Sequence, residues 1–248
     1  MKLADMTWYQ VQDRIDQRAA VILPTGSTEQ HGPMGRIGTD TTCAEAVALE
    51  TAHLCNAIVA PPLAYTPAPF NTGFPGTVSL SPTLFEAMAR EIVSGLLDQG
   101  FVGVFVVNGH GANLEPLRAI ASENEARMHI LSWWEPDEVN ALRQNLYGSW
   151  EGMHATPSEV AITQHLQGVL PENEAASPPA PLSAEYIRDH SGDRHGPTDQ
   201  HRAQFPDGRV GSHSALATPE DGERLLRLSA QGVAQAFVAF QTRAMALS

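Results

Sequence analysis

The sequence predicts an α/β fold: three αβα layers around a mostly parallel central sheet, in a single domain over residues 1–248. Three observations predict it. Short apolar runs alternate with helical apolar spacing through the first two thirds of the chain, the pattern of parallel strands joined by crossover helices. One run, residues 101–107, is apolar at nearly every position, as a strand covered on both faces must be. The length suits one large core, and the hydrophobic residues, 42% of the chain, are spread along it.

Residues 19–24 read as the first strand, followed by a polar, glycine-containing loop to Asp40. Ala44, Val47, Ala48 and Leu49 mark a helix over 41–53, and residues 57–60 a second short strand. After a Pro-rich loop at 61–82, Leu84, Phe85, Met88, Ile92, Val93, Leu96 and Leu97 trace one face of a helix that Gly100 ends. Residues 101–107 form the central strand, which runs directly into Asn108-Gly-His-Gly. Residues 114–127 make a return helix and 128–133 a fourth strand, with Trp133-Trp134 as strand-end packing. Beyond it the periodicity weakens. Residues 171–182, with four prolines, and the polar stretch 192–214 read as loops, and 219–245 as a final helix with an apolar stripe through Leu225, Leu226, Val233, Phe237 and Phe240. No internal repeat or low-complexity tract is present.

A formal charge of −13 argues against a nucleic-acid partner, which needs clustered Lys and Arg. No stretch reaches the roughly 20 apolar residues that cross a bilayer, so no membrane partner is expected. The N-terminus lacks the basic-then-apolar order of a signal peptide, which makes the cytoplasm the default location. Cys43 and Cys55 read as buried small hydrophobes, too far apart for a disulfide.

The chemistry concentrates at two strand ends. In Gly26-Ser-Thr-Glu-Gln-His-Gly-Pro33 a carboxylate and an imidazole lie two apart just after a strand, and Gly38-Thr-Asp40 follows. An isolated Glu-x-His is most often a solvated loop pair, and a lone Asp40 is well explained as a helix N-cap. Context favours more. Open α/β sheets bind ligands beyond the carboxyl ends of their strands, and the loop holding His110 lies at a second such end. Both loops are bracketed by glycine, which lets backbone approach an ion or substrate closely.

Taken together, these motifs resemble the creatininase, or creatinine amidohydrolase, family, which also includes formamide deformylases and a mycofactocin-precursor peptidase. The resemblance rests on residues 23–33, 38–40, Phe-Pro-Gly-Thr-Val-Ser-Leu at 74–80, Asn-Gly-His-Gly-Ala-Asn at 108–113 and His-Ala-Thr-Pro-Ser-Glu at 154–159. It implies a creatininase-like fold and two divalent metal ions per chain, zinc first, with manganese or iron as alternatives. Glu29 and His110 would hold one ion, His31 the second, and Asp40 would bridge them, about 3.5 to 4 Å apart and able to activate a shared water as a bridging hydroxide. His154 would protonate the leaving nitrogen. Ser79, Trp150 and Glu151 match substrate-contacting positions, and a plain strand hydroxyl is the competing reading of Ser79.

The sequence departs from creatininase after the metal histidine, where that enzyme has Tyr-Glu and this chain has Gly111-Ala112. Ala112 cannot ligate. Glu159 is the candidate to complete the second ion's shell, with a general-base role as the rival assignment. The resemblance therefore implies a hydrolase of a non-peptide C–N bond in a small cyclic amide or formamide. A peptidase of the mycofactocin-precursor type and a catalytically silent metal-binding scaffold are the alternatives. A homo-oligomer, often a hexamer, is implied too. His195, His201 and His213 match no compact ligand spacing and read as loop or subunit-interface residues.

Overall fold

The computed structural model describes residues 1–171, 173–192 and 194–247. Strands β1 (Val21–Thr25), β2 (Ile58–Val59), β3 (Val104–Asn108) and β4 (Met128–Ser132) pair in parallel in the order β2-β1-β3-β4. The helices are α1 (Trp8–Asp16), α2 (Thr39–Cys55), α3 (Pro82–Asp98), α4 (Leu114–Glu123), α5 (Asp137–Tyr147), α6 (Pro157–Gln167), α7 (Ala184–Asp189), α8 (Thr198–Gln204) and α9 (Pro219–Leu247).

The period-2 alternation of a strand sorts these helices into two layers. Val21 and Leu23 of β1 and Val104 and Val106 of β3 point to one face, where they meet Phe85, Ala89 and Val93 of α3 and Leu117 and Ile120 of α4. Ile22, Phe105 and Val107 point to the other, against Val47 and Ala48 of α2, Val160 and Ile162 of α6 and Phe237 and Phe240 of α9. All five residues of β1 and of β3 are buried, the covering that the apolar run predicted. The expected three-layer αβα architecture is the observed one.

Register then positions the chemistry. Thr25 pairs with Asn108, so the loops carrying Glu29 and His110 leave the sheet side by side at its carboxyl edge. Two glycines let this edge press on the start of α2: a methyl group at Gly26 would sit 2.2 Å from the Thr41 nitrogen, and one at Gly109 2.4 Å from the Asp40 carbonyl oxygen.

Several expectations need correction. Asp40 is not the N-cap of α2; that position is Gly38, and Asp40 lies inside the first turn, its side chain free for other work. The chain forms α1, α5 and α6 where the sequence reading assigned no helix, and α7 and α8 in its weakly patterned region. α1 opens with a capping box between Thr7 and Gln10 and α6 with one between Thr156 and Glu159, and both are sequence-local signals. The stretch 192–214 is not only loop, because α8 lies within it. Both cysteines are free and lie on α2, Cys43 buried and Cys55 half-buried. No helix among the described residues is long and apolar enough to cross a membrane.

Candidate metal centre and its cavity

Glu29, His31, Asp40 and His110 come together and are all nearly sealed from solvent, at 0, 1, 2 and 3% exposure. Charges so deeply buried need close partners. Asp40 is the hub. Its Oδ1 lies 2.8 Å from His31 Nε2 and its Oδ2 3.0 Å from His110 Nδ1, while the Ser27 hydroxyl donates to Oδ2 at 2.8 Å. Glu29 Oε1 lies 3.1 Å from the same His110 nitrogen.

The backbone fixes which nitrogen of each ring faces the cluster. His31 Nδ1 lies 3.1 Å from the Glu29 carbonyl oxygen, and His110 Nε2 lies 2.7 Å from the Pro67 carbonyl oxygen. A carbonyl only accepts, so these nitrogens carry the protons and the opposite lone pairs look inward. In the neutral rings, acceptor then faces acceptor: His110 Nδ1 against Glu29 Oε1 and Asp40 Oδ2, His31 Nε2 against Asp40 Oδ1. Glu29 Oε1 has no hydrogen-bond donor. Such a set of inward lone pairs is satisfied by a cation or by a second proton on the ring. The electrostatics agree. Burial pulls the His31 pKa down, but Asp40, Glu159 and Glu29 outweigh it and raise it; His110 is raised well above its usual value against the same penalty, by Glu29 and Asp40. Asp40, despite a burial that favours its neutral form, is held well below the carboxylate range by His31 and His110.

Three triads offer one donor atom per residue with all atoms within 4.8 Å of one another: Glu29, Asp40 and His110; His31, Asp40 and Glu159; and Glu29, His31 and His154. Asp40 is common to the first two. Glu159 arrives on the first turn of α6, where Thr156 is the N-cap and Pro157 the first helical residue. One Glu159 oxygen accepts the Thr156 backbone N–H and lies 4.0 Å from His31 Nε2. Burial is the main cause that lifts the Glu159 pKa to about 8, with Asp40 adding to it and His31 opposing.

His154 Nε2 lies 2.7 Å from the Gln30 carbonyl oxygen and 3.1 Å from Asn71 Nδ2, and Nδ1 is the nitrogen toward Glu29 Oε1, at 3.8 Å. The following residue, Ala155, has φ 56°, a left-handed conformation unusual for a residue with a Cβ. The backbone of His154 is clamped from the stretch that sequence left unpatterned: Val210 N–H donates to the His154 carbonyl at 3.2 Å, and Met153 N–H to that of Val210 at 2.9 Å.

Asp40, His110, His154 and Glu159 border a cavity of about 270 Å³, together with Trp133, Trp134 and Arg143. Ile187, Ser191 and Gly192 also border it, and through Gly111, Leu114, Ser191 and Gly192 it meets a groove of about 900 Å³. The remaining expected contacts look different. Ser79 is not in a strand; its hydroxyl accepts from Ala68 N–H at 2.8 Å and donates to the Leu80 carbonyl, tying its own loop. Glu151 is buried against Arg143 Nη2 at 2.8 Å and against the Ser158 hydroxyl, and Trp150 packs edge-on to His213 at 5.8 Å; neither borders the cavity. Trp133 and Trp134 do close β4, but they are also cavity wall. His195 borders the groove, whereas His201 is buried on helix α8 against Phe70 rather than in a loop.

Sequence reasoning missed two positioning residues. Asn71 donates to Glu29 Oε2 at 2.9 Å, and Gln30 donates to Asn71 Oδ1 at 2.8 Å and to the Gly208 carbonyl at 3.0 Å. Gln30 stands inside a motif that was singled out, but Asn71 sits in a Pro-rich loop with no local signal.

A family model described as creatinine amidohydrolase matches residues 4–237. The mycofactocin precursor peptide peptidase of Mycolicibacterium smegmatis is 34% identical over 69% of this chain and 68% of its own. The 3-dehydro-scyllo-inosose hydrolase of Thermotoga maritima is 35% identical over 43% of this chain, a match that spans about a third (34%) of that relative. A crystal structure of creatininase superposes with a TM-score of 0.76 at 23% identity, over 95% of each chain. Further creatininase structures of similar likeness are described as a manganese form and a Zn–Zn type. On the family match over nearly its whole length, with the same fold around a buried Glu/His/Asp cluster, this chain belongs to the creatininase family.

Proposed function

We propose that the chain is a dinuclear, metal-dependent amidohydrolase that cleaves a non-peptide C–N bond in a small cyclic amide or formamide. The observation that carries this reading is the split of Asp40, one oxygen toward His31 and the other toward His110, with inward lone pairs on both rings. The donor set fits two divalent ions. Glu29 and His110 would hold one, His31 and Glu159 the other, and Asp40 would be shared. Nitrogen and carboxylate donors suit zinc, manganese or iron. When bound, the ions supply Lewis acidity, which polarises a carbonyl and lowers the pKa of water.

The chain's own groups do the rest. His154, anchored through Nε2, holds and releases a proton at Nδ1, within reach of a nitrogen leaving the cavity. Asn71 fixes Glu29 by one oxygen so that the other stays directed at His110. Glu159 takes the place that Ala112 cannot fill; one of its oxygens is pinned by the Thr156 N–H, which fixes the carboxylate's orientation. Ser79 ties the 66–80 loop, whose Pro67 and Pro69 border the groove, an indirect contribution to the groove wall.

The test is metal analysis with substrate profiling. About two tightly held ions per chain, and hydrolysis of formamides or cyclic ureides after reconstitution, support the proposal. Fewer than two ions together with no amide hydrolysis would leave a silent metal-binding scaffold instead. One observation favours a second reading: the groove beyond the cavity is open at Gly111 and Ala112, room that an extended peptide needs. Cleavage of short peptides with no turnover of small amides would select that peptidase reading. A homo-oligomer, hexameric as the family resemblance implies, belongs to the same proposal, and light scattering measures it.

A further inference from the structure

The cavity has a second polar wall, opposite in character to the metal cluster. Arg143 projects from α5, and its Nε and Nη2 lie 2.9 and 2.8 Å from one oxygen of Glu151, Oε1. The Ser158 hydroxyl donates to that same oxygen. The guanidinium carbon stands 5.9 Å from the centroid of the Trp133 ring. A planar fork held on two nitrogens and flanked by an indole is a fixed group, already ordered before any ligand arrives. Its third nitrogen, Nη1, has no hydrogen-bond partner among the described residues, and Arg143 borders the cavity while Glu151 does not. Trp133 borders the same cavity. It is 1% exposed, and its indole N–H is buried without an acceptor.

Two donors with no acceptor between them select an acceptor-rich ligand. The carboxylate partner of Arg143, Glu151, gives Oε1 to Arg143 and Ser158, keeps Oε2 buried without a hydrogen-bond partner, and does not border the cavity, so it offers a cationic ligand no contact there. We propose that Arg143 and the Trp133 N–H bind a carboxylate of the substrate, so that the enzyme acts on amides carrying an anionic carboxylate close to the scissile C–N bond. This rests on the amidohydrolase reading above. The carboxylate belongs to a small N-acyl amino acid or to the free end of a short peptide, which the groove at Gly111 and Ala112 accommodates. Arg143 and Trp133 recognise it, and the cluster at Glu29, His31, Asp40 and His110 acts on the carbonyl.

The experiment uses zinc-loaded full-length protein and two matched pairs: N-formylglycine with N-formylglycinamide, and glycylglycine with its C-terminal amide. Steady-state kinetics and calorimetric binding are read for each. The expected result is a KM and Kd at least about tenfold lower for the carboxylate member of one pair, the scale of a charge-assisted hydrogen bond; the pair that shows it names the source. R143K, which keeps the charge but loses the fork, and W133F, which removes the N–H together with part of the ring, should each erode that preference. R143Q/E151Q removes both charges together, so no buried carboxylate is stranded, and should bring the ratio below about threefold. A wild-type ratio below threefold in both pairs, or a ratio unchanged in all three variants, overturns the carboxylate site even if amides are hydrolysed. Binding that prefers the carboxylate and depends on Arg143, with no hydrolysis of any probe, overturns the amidohydrolase reading and leaves the carboxylate site standing.

Discussion

Asp40 illustrates how one side chain can carry two jobs only because a third was taken from it. Gly38 occupies the cap position of α2, so the Asp40 carboxylate is not turned back onto helix N–H groups but faces His31 and His110. The prediction at this scale is asymmetric. Asp40→Ala should lose both ions, whereas Glu29→Ala should lose mainly one, read by metal analysis after dialysis; equal retention in the two variants would refute the bridging role. Asn71→Ala should leave two ions bound but more weakly, by roughly 10- to 100-fold, the usual consequence of removing a group that orients a ligand. An unchanged metal affinity would show that Glu29 needs no such support.

Elements bring these residues to one place. α6 begins where Thr156 and Glu159 satisfy each other's backbone N–H groups, so the same carboxylate serves the helix and faces His31. Thr156→Ala should therefore cost about 1 kcal/mol in urea unfolding, and it should also weaken the ion near His31; Thr156→Ser should restore both. A stability loss with unaltered metal affinity would separate the cap from the site. Gly109 works at a different junction, where β3 meets α2 with no room for a methyl group. Gly109→Ala should destabilise by about 2 kcal/mol or more, because backbone rather than a mobile side chain must yield.

At the scale of the molecule, the buried cluster links stability to metal. Glu29, Asp40 and Glu159 place three carboxylates against the end of the sheet, and α2, α6 and both strand-end loops all contribute to it. An ion that binds the folded cluster and not the unfolded chain stabilises by about 2.7 kcal/mol at a free concentration 100 times its Kd. Chelation should lower the melting temperature by several degrees, and zinc or manganese should restore it. A melting temperature indifferent to chelator would mean that the cluster is held by protons on its histidines.

Much of this was legible in the sequence, for physical reasons that differ by element. The apolar run ending at Val107 and the helical face from Leu84 to Leu97 are local patterns forced by burial, and they determined the α/β class, the parallel sheet and the two strand ends where Glu29, His31 and His110 sit. The capping box at Thr156 and Glu159 is an equally local signal, but the sequence reading assigns no helix there. What only the tertiary structure decided depends on chain segments far apart in sequence: that Val210 clamps His154, that Asn71 holds Glu29, that Glu151 turns to Arg143, and that Trp133 and Arg143 share a wall. Local periodicity reports which face of an element is buried, but a buried polar side chain is satisfied by whatever partner folding brings to it, and that partner leaves no mark on its own neighbourhood in the chain.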